Sequence, residues 1–189
     1  MSLYNSNTIM VPKEQPEFFN STAEYFVIEV TDEMRSRAKE MQSQSNETDT
    51  TDSRSNRRSK QDSLVGKLGE IVVEKFFTLN DISASFNSGW GYDMEIDGYT
   101  AEIKTRDYTQ THPNYYDLLV RDRMDTQWTP SDVDIVIQVM LNGDDSSKGY
   151  ITGYAYGNFV ESCGFFQKAK THRTREVPHS ELQPIEDLL

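Results

Sequence analysis

The sequence is poor in cysteine, in histidine and in long apolar runs, and each shortage closes off a class of protein. Cys163 is the one cysteine among 189 residues. It can form no internal disulfide, which suits a reducing cytoplasm, and it can supply no thiolate cluster. The three histidines, His112, His172 and His179, lack the spacing of a zinc motif. No stretch approaches the roughly 20 apolar residues of a membrane helix. The opening MSLYNSNTIMVPKEQPEFF has no basic region followed by an apolar core, so no secretion leader is expected. Neither phosphate-binding glycine loop, GxxxxGK[ST] or GxGxxG, occurs, and neither does the GxSxG of serine hydrolases.

Positive charge is the other scarcity. Nineteen Lys and Arg stand against 31 Asp and Glu, a net charge of −12. Such a chain repels the phosphates of nucleic acid as a whole. The basic charge is nonetheless gathered. Residues 54–60 (RSNRRSK) carry Arg54, Arg57, Arg58 and Lys60, and residues 168–175 (KAKTHRTR) carry Lys168, Lys170, Arg173 and Arg175, with no acid in either. Both segments are expected to face DNA; solvated surface charge is the alternative.

The length fits one domain with a small appendage. Residues 1–42 form that appendage: an irregular start with Pro12 and Pro16, a strand over 25–30 (YFVIEV), and a surface helix capped by Thr31 with Met34, Ala38 and Met41 on one side. From 43 to 62 no apolar residue occurs, and a flexible polar loop is expected. The core then spans 63–189. Residues 63–77 predict a helix apolar nearly all round, hence buried, with Gly66 and Gly69 permitting close approach. In it Glu70 is either functional or a partner for Lys67 at i−3.

A strand is expected over 83–86. Residues 118–120 fit either a strand or a helical turn. The β-branched run 132–141 (DVDIVIQVML) reads as a central strand buried on both faces. Another strand follows over 150–155. Asn158 is expected to cap a short helix, and Ile185, Leu188 and Leu189 to dock as an apolar clip. The pattern predicts an α/β fold, a mixed central sheet flanked by helices.

The chemistry concentrates in residues 90–106, WGYDMEIDGYTAEIKTR. Asp97-Gly98 is the preferred type I′ hairpin turn, since both central positions need φ > 0. That turn pairs Ile96 with Tyr99 and Met94 with Ala101, and sets Asp93 across from Glu102. Tyr92, Met94, Ile96, Tyr99, Ala101 and Ile103 then share a core face, while Asp93, Glu95, Thr100, Glu102 and Lys104 share the other. Two carboxylates facing each other across strands repel. Folding has no use for the pair, whereas a divalent cation held by hard oxygens would. Trp90 and Trp128 are read as buried or rim aromatics rather than base-stacking platforms.

An aspartate, a short gap and then Glu-Ile-Lys on the next strand resembles the PD-(D/E)XK nuclease superfamily, with its restriction-endonuclease-like fold. Asp93, Glu102 and Lys104 match its motif, and Glu70, in a GxxGE setting, matches the glutamate of the preceding helix. Tyr92 stands where the family name has proline. The resemblance covers about residues 62–160. It implies a mixed sheet between helices and Mg²⁺- or Mn²⁺-dependent hydrolysis of DNA phosphodiesters leaving a 5′-phosphate. Asp93, Glu102, the carbonyl of Ile103 and Glu70 would be the metal-site residues, and Lys104 would assist the attacking water. A catalytically silent nucleic-acid-binding protein on the same fold is the alternative. A viral or plasmid origin and a homodimer both remain open.

Overall fold

A computed structural model describes residues 9–10, 26–46, 56–87, 89, 91–107, 117–123, 128–141, 147–163, 165–169 and 172–189. In chain order these form β1 (Ile9–Met10), β2 (Phe26–Glu29), α1 (Asp32–Asn46), α2 (Asn56–Leu79), β3 (Ala84–Phe86), β4 (Met94–Ile96), β5 (Tyr99–Asp107) and β6 (Leu118–Arg123). Then come β7 (Ile135–Leu141), β8 (Lys148–Tyr156), α3 (Gly157–Ser162), β9 (Phe165–Ala169) and β10 (His172–Val177), with 3-10 turns at Pro130–Asp132, His179–Glu181 and Ile185–Leu188. The architecture is α/β. A mixed sheet runs β1-β2-β8-β7-β5-β4-β3, and a second sheet runs β6-β10-β9.

β7 anchors the main sheet. Its seven residues, IVIQVML, are all buried, as expected for a β-branched run covered on both faces. It pairs parallel with β5 and antiparallel with β8. On one face Ile135, Ile137 and Val139 join Ala101 and Ile103 against Leu68, Ile71, Val72 and Phe76 of α2 and Ala38 of α1. Each such side chain taken from water contributes roughly 1.5–3 kcal/mol. On the other face Val136 and Ala155 meet Leu118, Val120, Val160 and Val177. The long helices α1 and α2 therefore cover one face, and the second sheet with the short helix α3 covers the other, where flanking helices alone were expected.

The hairpin turn forms as its sequence requires. Asp97 has φ 47° and Gly98 φ 88°, and the register pairs Met94 with Ala101 and Ile96 with Tyr99. Met94, Ile96, Ala101 and Ile103 are buried, but Tyr99 is 45% exposed. Tyr92 packs instead against the second-sheet cluster: the chain bends at Asp93, one residue before β4 begins, so the alternation of β4 does not extend back to Tyr92. The core face is thus shorter than expected at both ends.

The described residues of the 1–42 segment, β1, β2 and the start of α1, do not stand apart as an appendage. β2 lies inside the main sheet between β1 and β8, and Phe26, Ile28, Met34 and Ala38 belong to the same core as α2. The polar stretch 43–62 is helical at both ends, since α1 reaches Asn46 and α2 starts at Asn56. Extending a helix from an established apolar segment costs far less than starting one. Residues 47–55 lie outside the described residues. Residue 118 opens a strand rather than a helical turn. Tyr156, not Asn158, is the N-cap of α3. The C-terminal clip docks through Ile185 and Leu188, while Leu189 is 49% exposed.

Gly69 fixes how closely α2 lies on the sheet. A Cβ there would come within 1.8 Å of Thr105 Oγ1, so only glycine allows this approach. The residue that follows it is Glu70.

Candidate functional site

The sequence brings three acids toward one place. Asp93 sits one residue before β4, where its backbone N–H donates to the Ala101 carbonyl at 3.0 Å. Its carboxylate accepts the Ile103 N–H at 2.8 Å, crossing to the strand that carries Glu102. In a strand the N–H and C=O of one residue point to the same side, so the Ile103 carbonyl shares the edge that Asp93 occupies. Glu102 and Lys104 alternate onto the side of β5 that carries their register partners on β7, Val136 and Gln138. The side chain of Glu102 is 15% exposed and ion-paired to Lys104.

Glu70 arrives from α2 and is 6% exposed. Both its oxygens accept from Lys67 Nζ, at 2.8 and 2.9 Å. The i−3 pairing that the sequence offered as the alternative is therefore present. The acid group reaches Glu70 as well: burial first, then the charge of Asp93, push its pKa up to about 7, against the pull of Lys67. Glu102 adds to the same push. The pKa of Glu102 is itself raised, by burial above all and by Asp93, with Lys104 opposing. The hairpin thus gathers carboxylates at a cost in electrostatic energy that their lysines only partly offset.

Two further residues complete the surroundings. Trp128 donates its indole N–H to the Gly91 carbonyl at 2.7 Å, and the Lys104 ammonium lies 5.9 Å from the centre of its ring. Gln138, the register partner of Lys104, is buried and its Oε1 accepts from Thr152 Oγ1 at 2.8 Å. Gln138 was legible as the single polar residue in the central part of an apolar strand. Trp128 was not, since nothing in the sequence ties it to Gly91, 37 residues earlier.

The oxygens on offer are Asp93, Glu102, Glu70 and the Ile103 carbonyl, all hard donors. Among the described residues no three His, Cys, Asp or Glu side chains are gathered as a set that could hold a metal ion by themselves. Any cation here would draw on the backbone carbonyl, water or substrate oxygens as well. A cavity of about 440 Å³ between α1, α2 and β2, lined by Ile28, Met34, Arg37, Ile71 and Glu74 among others, is separate from this acid group.

The basic segments divide. Arg57, Arg58 and Lys60 fall in the first turns of α2, Lys168 on β9 and Arg173 on β10; Arg54 and Lys170 lie outside the described residues, as does Trp90. Arg175 corrects its expected role. It is 9% exposed, and its guanidinium donates to the backbone carbonyls of Glu161 and Cys163. It ties β10 to the end of α3 and presents no charge to a phosphate. No helix among the described residues is long and apolar enough to cross a membrane.

The chain matches no family model and no curated protein.

Proposed function

We propose that the chain is a divalent-cation-dependent nuclease of the PD-(D/E)XK kind, hydrolysing phosphodiester bonds in DNA. The observation that carries this reading is the convergence of Asp93, Glu102 and Glu70, with carboxyl pKa values raised at Glu70 and Glu102. Active sites are where burial and like charges are arranged to raise carboxyl pKa values, which makes perturbed acids sharing one site a functional-site candidate. The order of elements gives separate support to a restriction-endonuclease-like core. α2 is followed by the antiparallel run β3-β4-β5, and β7 lies parallel to β5. The described part of the β5–β7 connection holds β6 and a 3-10 turn, so that link departs from the helix such a core leads one to expect.

Asp93, Glu102 and the Ile103 carbonyl would hold Mg²⁺ or Mn²⁺, with Glu70 taking a bound water or a second cation. Held there, such an ion would supply a more acidic water and positive charge to offset that building on the phosphate. The protein groups do the rest. Asp93 keeps its orientation through the Ile103 N–H. Lys104 orients the attacking water and neutralises a phosphate oxygen. Glu70 would accept a proton from that water. Arg57, Arg58, Lys60, Lys168 and Arg173 would supply phosphate contacts, so that DNA affinity falls with salt.

A second reading, DNA binding without hydrolysis, draws on the two ion pairs, which give Glu70 and Glu102 lysine partners in the absence of a cation. The test is cleavage of supercoiled, linear, single-stranded and branched DNA with Mg²⁺ or Mn²⁺, beside Glu102→Gln. Cation-dependent cleavage lost in the variant supports the proposal. DNA binding by a wild-type protein that cleaves none of these substrates supports the second reading instead.

A further inference from the structure

The Lys104 ammonium stands between two groups that attract it. Glu102 holds it as an ion pair, and the indole face of Trp128 lies 5.9 Å away, within the range at which a ring attracts a cation. Trp128 is not loosely placed. Its N–H is tied to the Gly91 carbonyl, and Gly91 takes a backbone conformation, φ 111°, that side-chain-bearing residues rarely adopt. The same hydrogen bond joins the segment before β7 to the turn that delivers Asp93. The ring therefore occupies a fixed position relative to both acids.

We propose that Trp128 is a positioning residue for Lys104, holding the ammonium over its ring once Glu102 is engaged by another cation. This rests on the function proposed above only where it concerns turnover and metal binding; the lysine–indole contact stands without it. A lysine freed from its carboxylate would otherwise sweep through solvent on four rotatable bonds. With the ring present it stays beside Glu102 and the reacting phosphate. The ring also competes with Glu102 for the ammonium, and so leaves that carboxylate more available to a divalent cation.

Two measurements test this, one of them independent of activity. The first is NMR of the Lys104 side chain, assigned by comparison with Lys104→Met. Its terminal methylene protons should be shifted upfield by the indole ring current in wild type, and return to ordinary values in Trp128→Leu. Identical shifts in wild type and Trp128→Leu overturn the proposal. The second is Mn²⁺ affinity in a double-mutant cycle. Trp128→Leu should weaken Mn²⁺ binding about two- to fivefold, the scale of a partly exposed cation–ring contact, and lower kcat with little change in KM. In the Lys104→Ala background the same substitution should change Mn²⁺ affinity by less than about 1.5-fold. A loss that persists in that background means Trp128 acts by bracing the turn at Gly91, and the proposal fails. A wild type that neither binds Mn²⁺ nor cleaves DNA removes the nuclease reading, and the NMR result then decides the lysine–indole contact alone.

Discussion

Glu70→Gln should stabilise the metal-free protein at alkaline pH and not at acid pH. The folded carboxyl ionises at about 7 instead of its ordinary 4.5. A folded value above the unfolded one means that the stabilising contribution is complete below about pH 4.5 and is lost as pH rises through about 7. At about 1.36 kcal/mol per unit, the loss amounts to roughly 3 kcal/mol. Glutamine keeps the shape and cannot ionise, so it avoids that loss. The attraction of Lys67 for the ionised carboxylate is already inside that net shift, so its loss subtracts nothing further. The net gain near pH 8 is therefore roughly 3 kcal/mol, or about 6–12 °C in Tm for a chain of this size. Urea unfolding of both proteins at pH 4.5, 6 and 8 without divalent cations reads it directly. Under the proposed function, millimolar Mn²⁺ narrows the gap by stabilising the ionisable wild type more than the variant. A variant-minus-wild-type difference that stays constant from pH 4.5 to 8 would refute the reasoning, since Glu70 would then ionise as it does in the unfolded chain.

Asp93→Asn and Glu102→Gln should each abolish cleavage while the metal-free Tm holds or rises, because each removes one of two repelling carboxylates; cleavage surviving in either ends the assignment. Lys104→Ala should lower single-turnover cleavage about 10²-fold or more yet leave Mn²⁺ affinity equal or greater, since a nearby positive charge opposes a cation; full rescue by Lys104→Arg would argue against a compact point charge. Replacing Arg57 and Arg58 by Ala should flatten the salt dependence of DNA binding by up to about two units, at roughly 0.9 per contact, and an unchanged slope makes that cluster plain surface charge. Mn²⁺ and DNA should each bind more tightly when the other is present, by one common factor within error; titrations of each ligand with and without the other that give a factor of one refute coupled entry.

The hairpin was readable because its determinants are local. Asp97-Gly98 sets the turn and the alternation sets the faces, so the approach of Asp93 to Glu102 followed from adjacent residues. β7 was equally plain, because a buried strand is marked by its own composition. What escaped was decided at a distance. β10 and the end of β9 lie in a stretch read only as a basic run, KAKTHRTR, and the face of β10 that carries Val177 inward also carries Arg175. A strand carrying arginine at alternate positions shows little hydrophobic pattern, and Arg175 is buried only because the Glu161 and Cys163 carbonyls come to meet it. β2 looked like an appendage because nothing in YFVIEV says which sheet it will join. Tyr92 left the expected core face because the bend at Asp93 ends the strand alternation before it reaches Tyr92. Glu70 was legible twice over, as the partner of Lys67 and as a member of the acid group, and it is both.

That double membership explains why cation and substrate should enter together. Formally the site carries three carboxylates, Asp93, Glu102 and Glu70, and two ammoniums, Lys67 and Lys104. It is one charge short of neutral, and burial first, with the neighbouring Asp93 charge second, raises the pKa of Glu70, so that a proton removes the deficit most cheaply. A divalent cation in place of that proton overshoots to one positive charge. A phosphodiester, with one negative charge, restores the balance. Phosphate arriving alone meets an uncompensated carboxylate, and a cation arriving alone leaves a positive excess in a partly buried site; each is unfavourable where screening by water is weak. The pair together is neutral. Positive coupling between Mn²⁺ and DNA therefore follows from the count of charges that Asp93, Glu102, Glu70 and their two lysines bring to one edge of β5.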